Sequence, residues 1–285
     1  MYSEIAAIVE RKRGEDASTG NTVAAALVDC VTRKVVKQTV MTTVYGVTRY
    51  GAGLQIAKQL RALDNFQGGV EASSKYLAGK TFESLNELFT ASQEIQSWLT
   101  ECAGVVAGEC GENVSWLTPL GLPVVQPYCS LIAKRDPGID IEMTNIFRVA
   151  AASLPVERVN KMKHRNGFPP NFIHSLDSSH MMLTSLHLWS HGLTFASVHD
   201  CYWTHARDVD AMNSVCRGQF IALHSSPILE DLSDYLLRSH MEEVQEDSSQ
   251  EENLEKQKKE MLFKQVPSKG QLDLEVVRGS TFFFS

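Results

Sequence analysis

No stretch of this sequence approaches the roughly 20 consecutive apolar residues that a membrane-spanning helix requires. Its first residues show neither the pattern of a signal peptide nor the Arg- and Ser-rich, acid-poor composition of an organellar presequence. The six cysteines form no CxxC pair and are sparse for 285 residues, which argues against a disulfide framework and favours a reducing compartment, organelles included. We therefore expect no membrane insertion, and the composition is typical of a soluble globular protein with one large domain or two smaller ones.

The net charge of −7 is unevenly distributed along the chain. The segment 242–260 alone carries −5, so the remainder is close to neutral. Three local basic clusters stand out in that remainder, at residues 11–13, at Arg33, Lys34 and Lys37, and at residues 161–165. An acidic total therefore does not exclude binding to phosphate, but it requires the binding surface to be local.

The strongest helical pattern runs from Thr32, a suitable N-cap, to Gly46, which can end a helix in the left-handed conformation. Valines at spacing four form one stripe, and Arg33, Lys37, Met41 and Tyr45 form a neighbouring one. Cations in the first turns oppose the helix dipole, so the pattern favours a docked polyphosphate, with the rest of a nucleotide extending toward Tyr45. The alternative interpretation is a solvated basic face on an ordinary amphipathic helix.

A second helix is predicted from residue 172 to residue 187, after an extended Pro169-Pro170 pair and with Asn171 as its cap. His174, Asp177 and either His180 or Met181 follow at helical spacings of three and four and are expected to share a face. Ligation of zinc by this set is one interpretation. The interpretation that we favour is a groove-facing His174 that donates to a sugar or base edge.

A β-hairpin centred on His199-Asp200 is predicted from the flanking apolar residues. An acid between two strands that are meant to be buried is costly unless a cation or strong donors lie against it, so Asp200 predicts a metal or another partner. A short hairpin is expected within 115–128 and an irregular region at 129–165. The segment 242–260 is expected to be a charged helix or tether that forms a solvated insertion, and the aromatic C-terminus is expected to dock onto the body. The fold class predicted is α+β and predominantly helical.

Three patterns occur along the chain in this order: Arg33-x3-Lys37-x3-Met41-x3-Tyr45-Gly46, then PNFIHSLDSSHM around His174, then His199-Asp200. Together they resemble the single-subunit, bacteriophage-type RNA polymerases, most closely their animal mitochondrial members. The resemblance covers nearly the whole chain and is weakest at 1–30, 129–160 and 242–262. It implies a right-hand polymerase fold, with a fingers-like helical region at 1–165. A carboxy-terminal palm portion at 166–285 would hold the antiparallel hairpin and a charged insertion, 242–262.

The resemblance also implies a role for each motif residue. Arg33 and Lys37 would hold the nucleoside triphosphate, Met41 would pack beneath the base, and Tyr45, followed by Gly46, would stack near the nascent base pair and help to select ribose. His174 would contact the growing end or the nucleotide sugar, and Asp200 would hold two Mg²⁺ ions. The predicted catalytic residues are therefore Asp200, Lys37, Tyr45 and His174. The implied partners are a DNA template, nascent RNA, nucleoside triphosphates and transcription initiation factors, and the implied location is the mitochondrion.

DNA polymerases of the bacterial repair type share much of this pattern, but they usually place an aromatic residue at the position of Met41 and a glutamate at that of Cys201. Both departures favour the RNA polymerase interpretation. The second catalytic aspartate of that family lies on a palm strand upstream of the fingers helix, and the acids before Arg33 do not lie in such a strand. We therefore expect the carboxy-terminal portion of a larger polymerase, inactive alone. The alternatives are a non-catalytic nucleotide- or nucleic-acid-binding module, and a metal-dependent hydrolase built on Asp200 and His174.

Overall fold

The computed structural model describes residues 2–43, 46–63, 66, 68–132, 156–241, 250–281 and 283. These residues form helices and three two-stranded antiparallel sheets. This confirms the predicted α+β, predominantly helical class. None of the helices described is both long enough and apolar enough to cross a membrane.

The chain divides into two compact units, residues 1–97 and 98–285. This division falls well before residue 165, where the fingers-like and palm-like regions were predicted to meet, and that functional boundary stays a prediction. The first unit contains α1 (Tyr2–Ser18), α2 (Thr22–Ala25), α3 (Arg33–Thr43), α4 (Arg49–Arg61) and α5 (Val70–Leu88). The unit boundary lies within α6 (Thr90–Val105).

The apolar faces of α1, α3, α4 and α5 enclose the core of the first unit. Its members are almost completely shielded from solvent, and they include Ile5, Val9, Leu27, Val36, Val40, Ile56, Leu60 and Leu77. The predicted valine stripe of α3 is confirmed at Val36 and Val40, and Val35 and Thr39 are buried beside it. Burial of this stripe fixes which face of α3 remains exposed.

In the second unit a π-helical turn (Val106–Cys110) follows α6, and the hairpin of β1 (Ser115–Leu117) and β2 (Pro123–Val125) comes next. This confirms the hairpin predicted within 115–128. The strands β3 (Cys129–Ile132) and β4 (Val156–Val159) then pair antiparallel. The irregular region predicted at 129–165 is therefore wrong at both of its ends, where strands and the start of the next helix lie, and the residues between the two strands lie outside the described part.

The longest helix, α7 (Lys161–Ser190), runs through Pro169 and Pro170. The prediction of an extended proline pair capped by Asn171 is therefore wrong, and the N-cap is Asn160, whose side chain accepts from Lys163 N. Two prolines remove two backbone donors. Burial of Phe168 and Phe172 against Trp116, with ring centroids 5.3 and 6.1 Å from that of Trp116, offsets this cost.

The last part of the second unit begins with β5 (Ala196–Val198) and β6 (Cys201–Trp203), the predicted hairpin. A 3₁₀ turn, α8 (Val209–Ser225), α9 (Ile228–His240), α10 (Gln250–Lys264) and a 3₁₀ turn (Leu274–Gly279) complete it. The charged segment is helical from Gln250 onward, and Phe263, which follows it, is fully buried. The described side chains at 253–260 are exposed or half-buried, as a solvated insertion predicts. At the C-terminus, Phe283 packs on Phe220 with ring centroids 5.0 Å apart, as the expected docking of the tail requires.

Candidate functional site

The exposed face of α3 presents the predicted triphosphate-binding residues. Arg33 and Lys37 are exposed, and Met41, one turn further along, is 47% exposed. Neither cation forms an ion pair with any described acid, although the Arg33 guanidinium lies 5.8 Å from the centroid of the Tyr2 ring. Gly46 has φ +74°, the left-handed conformation that was predicted to end this segment. Tyr45 lies outside the described residues.

The hairpin that carries Asp200 turns in two residues, because Val198 pairs with Cys201. His199, the first turn residue, has φ +53°, as a turn that matches the strand twist requires. Asp200 is exposed at the tip, and the nearby Cys201 Sγ donates to its Oδ1 over 3.7 Å. The expectation of a buried, costly carboxylate is therefore wrong in this chain, since each strand has only three residues and exposes two of them.

Beneath the hairpin, Tyr202 is half-buried against Phe195 and His180, with ring centroids 5.1 and 6.2 Å away. Burial raises the pKa of Tyr202, and the charges of Asp177 and Asp200 both add to this effect. Asp177 and Asp200 therefore both lie close enough to Tyr202 for their negative charges to raise the pKa of its hydroxyl.

His180 is buried, and its Nε2–H donates to the Cys216 carbonyl over 2.8 Å. Burial lowers its pKa, so the ring stays neutral and ties α7 to α8. His174 and Asp177 are exposed. The three residues follow at the predicted spacing on α7, and the charge of Asp177 opposes the effect of burial on the pKa of His180. A joint role for the three side chains stays a prediction.

His174 lines a groove of about 440 Å³ between α7 and the β1–β2 hairpin. Ser178 and Met182, one and two turns further along α7, continue the same wall. The opposite wall comes from β2 and from the chain after it, which includes Tyr128. The groove position predicted for His174 therefore holds, and its role as a donor to a sugar or base edge stays a prediction.

A buried polar network that the sequence did not reveal holds the end of this groove. Gln126 Nε2 donates to His164 Nδ1 over 3.2 Å, and His164 Nε2 donates to Asn113 Oδ1 over 3.1 Å. Asn171 Nδ2 donates to Gln126 Oε1 at 2.8 Å and to the Tyr128 hydroxyl at 3.0 Å. The network joins β2 and its following segment to α7, and it therefore fixes the groove wall.

The fit of this chain to Mg²⁺ depends on its carboxylates. Asp200 offers an exposed oxygen ligand of the kind that Mg²⁺ prefers, and Mg²⁺ is commonly held by one or two carboxylates together with substrate phosphates. Among the described residues, no group of three or more His, Cys, Asp or Glu side chains is placed to hold a metal ion. Asp200 therefore fits as one carboxylate ligand of a Mg²⁺ site.

The chain belongs to the DNA-dependent RNA polymerase family, whose family model matches residues 1–285. This confirms the resemblance seen in the motifs, and it favours RNA polymerases over the repair-type DNA polymerases.

Individual members of this family align with the entire chain. It is 50% identical to the human mitochondrial DNA-directed RNA polymerase, 47% identical to the mouse protein, and 41% identical to the mitochondrial DNA-directed RNA polymerase 1 of Arabidopsis thaliana. All of this chain aligns in each case, and it spans 22%, 23% and 27% of the respective relatives.

Proposed function

We propose that this chain supplies the nucleotide-binding helix and one metal-binding carboxylate of a DNA-directed RNA polymerase that works in mitochondria. The observation that supports this most strongly is α3, which exposes Arg33 and Lys37 without an acidic partner among the described residues, in a chain whose whole length matches the family model. Mitochondrial location is proposed from the names of its relatives.

In this proposal α3 orients the incoming nucleotide along its axis. Arg33 and Lys37 lie one turn apart, about 6 Å along the helix, so they can contact neighbouring phosphates. Arginine offers a planar set of donors and lysine a point charge. Met41 lies one further turn along and offers an apolar surface to the base, and Tyr45 would follow at the next turn.

Asp200 would hold Mg²⁺ from the tip of the hairpin. When bound, the metal pair would activate the 3′-hydroxyl of the RNA and stabilise the leaving pyrophosphate. The chain's own contribution is to fix this carboxylate on a two-residue turn supported from below by Tyr202 and His180. His174, in its groove, would contact the growing RNA end or the nucleotide sugar.

The partners that follow are a DNA template, nascent RNA, nucleoside triphosphates and initiation factors. The right-hand arrangement, with fingers at 1–165 and a palm portion at 166–285, belongs to the same proposal. The charged segment 242–262 has no assigned role in it.

Triphosphate binding to the purified chain tests the role of α3. We expect Arg33→Ala and Lys37→Ala each to weaken binding of MgATP in isothermal titration by about tenfold, since a charge-assisted hydrogen bond is worth about 1.5–3 kcal/mol. Lys34→Ala is the matched control, because Lys34 is an exposed lysine at a different angle of the same turn. Equal losses for Lys34 and Lys37 would instead indicate a diffuse basic face.

A second candidate is a nucleotide- or nucleic-acid-binding module without catalysis. It is favoured by the exposed cations of α3, which can bind phosphate without any contribution from Asp200. Both candidates predict that the purified chain binds without extending an RNA primer on a DNA template with Mg²⁺, and extension by the purified chain would rule out the second candidate. The two functions are distinguished when this chain replaces the matching segment of a full-length relative, because only the first candidate predicts RNA synthesis there.

A further inference from the structure

The three basic clusters of the sequence have different environments in the structure. The first, Arg11–Arg13, is neutralised, because Arg11 and Lys12 pair with Glu87 and Arg13 pairs with Glu10. The second lies on α3 and is assigned above to the triphosphate. The third, at the start of α7, takes no part in the sites described so far.

This third cluster extends onto β4, and we call it the β4–α7 basic patch: Arg158, Lys161, Lys163 and Arg165. The sequence from 158 to 176 contains no acid. None of the four cations forms an ion pair with an acid in the described part of the chain, whereas Lys259 and Lys264 of α10, in the same unit, both do. Four cations within eight residues thus have no described counter-charge.

The local backbone adds to this positive potential. Lys161 and Lys163 occupy the first turn of α7, where the helix dipole already places partial positive charge. Cations are unfavourable at that end of a helix, by about 0.3–1 kcal/mol each. A bound anion would offset this unfavourable interaction, because it would be attracted both to the two lysines and to the positive end of the helix dipole.

Two of the side chains lie against glycines, one in α6 (Gly104) and one in the π-helical turn that follows it (Gly108). A Cβ at Gly108 would lie 2.5 Å from Lys161 Nζ, and a Cβ at Gly104 would lie 3.4 Å from Arg165 Cδ. The glycines are four residues apart, and so are the two cations, so the side chains lie side by side across the end of α6. Packing of the stems lowers the entropy that a ligand would otherwise have to remove.

We propose that the β4–α7 basic patch binds the phosphodiester backbone of a nucleic-acid strand. Lys161 and Arg165 lie about 6 Å apart along the helix axis, compared with an axial rise of about 3.4 Å per phosphate in one strand. The pair therefore suits phosphates roughly two nucleotides apart. Backbone contacts of this kind position a strand and carry no sequence information.

The inference rests on the proposed function, because a polymerase supplies the nucleic acid that the patch would contact. The experiment measures fluorescence anisotropy of labelled single-stranded RNA, single-stranded DNA and duplex DNA with the full chain, between about 50 and 200 mM salt. The test variant is Lys161→Gln/Lys163→Gln. The control is Lys256→Gln/Lys258→Gln on α10, which removes the same charge from the acidic segment. Glutamine is a good helix former, and an unchanged thermal midpoint verifies folding.

If both lysines contact a single strand, the test variant binds about 25-fold more weakly at 0.1 M salt, and the slope of log K against log salt falls by about 1.4. The nucleic acid with the largest loss identifies the natural source of the backbone, RNA or DNA. We expect the control to change affinity less than twofold. The proposal would be wrong if the two double variants weakened binding equally, or if the wild-type chain bound none of the three nucleic acids.

Failure of the patch and failure of the proposed function give different results. If Lys37→Ala weakens MgATP binding while Lys161→Gln/Lys163→Gln leaves oligonucleotide binding unchanged, the patch is wrong and the proposed function stands. If the patch variant loses oligonucleotide binding while Lys37→Ala leaves MgATP binding unchanged, the patch stands as a nucleic-acid site and the proposed role of α3 is wrong.

Discussion

Replacement of His164 by leucine should both destabilise the second unit and reduce its sensitivity to acid. His164 is fully buried and accepts from Gln126 while it donates to Asn113. Leucine preserves the volume but leaves these two groups unpaired. At about 1–3 kcal/mol for an unpaired buried polar group, and with Asn113 only partly buried, we expect a loss of roughly 2–4 kcal/mol in the free energy of unfolding at pH 8.

The pH dependence follows from the direction of the pKa shift. Burial lowers the pKa of His164 below its ordinary value of 6.5. Below pH 6.5 the unfolded chain therefore binds more protons than the folded one, and stability falls as the pH falls toward the folded pKa. One such group contributes at most about 1.4 kcal/mol per pH unit. The pKa values of His180, His224 and His240 are lowered too. The unfolding free energy of His164→Leu should therefore still fall with falling pH, but less steeply than that of the wild type, because the contribution of His164 is missing.

Urea denaturation followed by tryptophan fluorescence measures this in the second unit alone, because all four tryptophans lie beyond residue 97: Trp98, Trp116, Trp189 and Trp203. Unfolding free energies of the wild type and of His164→Leu would be compared from pH 8 to about pH 5. A variant that kept the wild-type slope would refute the assignment of a neutral, buried His164. If His164→Leu were as stable as the wild type at pH 8, the hydrogen bonds of His164 would not contribute to stability.

Three further predictions concern the hairpin, the core and the tail. Because Asp200 is exposed, Asp200→Asn should change the free energy of unfolding by less than about 0.5 kcal/mol, and a larger loss in urea denaturation would reveal a structural role. Trp116→Phe removes the hydrogen bond from Nε1 to Ser175 Oγ and should cost about 1 kcal/mol or more; Trp189→Phe, at a side chain that is 78% exposed, is the control and should cost almost nothing. Phe283→Ala removes ring contacts with Phe220 and Arg217, so trypsin should cleave after Arg278 faster, as followed by mass spectrometry; an unchanged rate would mean that the ring does not hold the tail.

The local parts of the fold were predictable because their signals lie within a few residues of each other. The valine spacing and the left-handed Gly46 define α3 and its exposed basic face. The apolar residues around His199-Asp200 likewise define a hairpin. In both cases one short segment contains the information that determines its own conformation.

The errors arise where distant residues decide the structure. The helix α7 continues through Pro169-Pro170 because Phe168 and Phe172 pack on Trp116, more than 50 residues earlier. The partners of His164 lie 38 and 51 residues away, so nothing near it in the sequence marks it as the centre of a network. The exposure of Asp200 likewise depends on which other parts of the protein pack on the hairpin, and the sequence of the hairpin does not determine this.

A chimeric polymerase tests the central proposal most directly. All of this chain aligns with the human mitochondrial DNA-directed RNA polymerase, at 50% identity and over 22% of that protein, so it can replace the matching segment. We expect the chimera to synthesise RNA on a DNA template with Mg²⁺, and we expect Asp200→Asn in the chimera to abolish synthesis without unfolding it. If the folded Asp200→Asn chimera still made RNA at the unmodified rate, Asp200 would not hold the catalytic metal and the proposed function would be wrong.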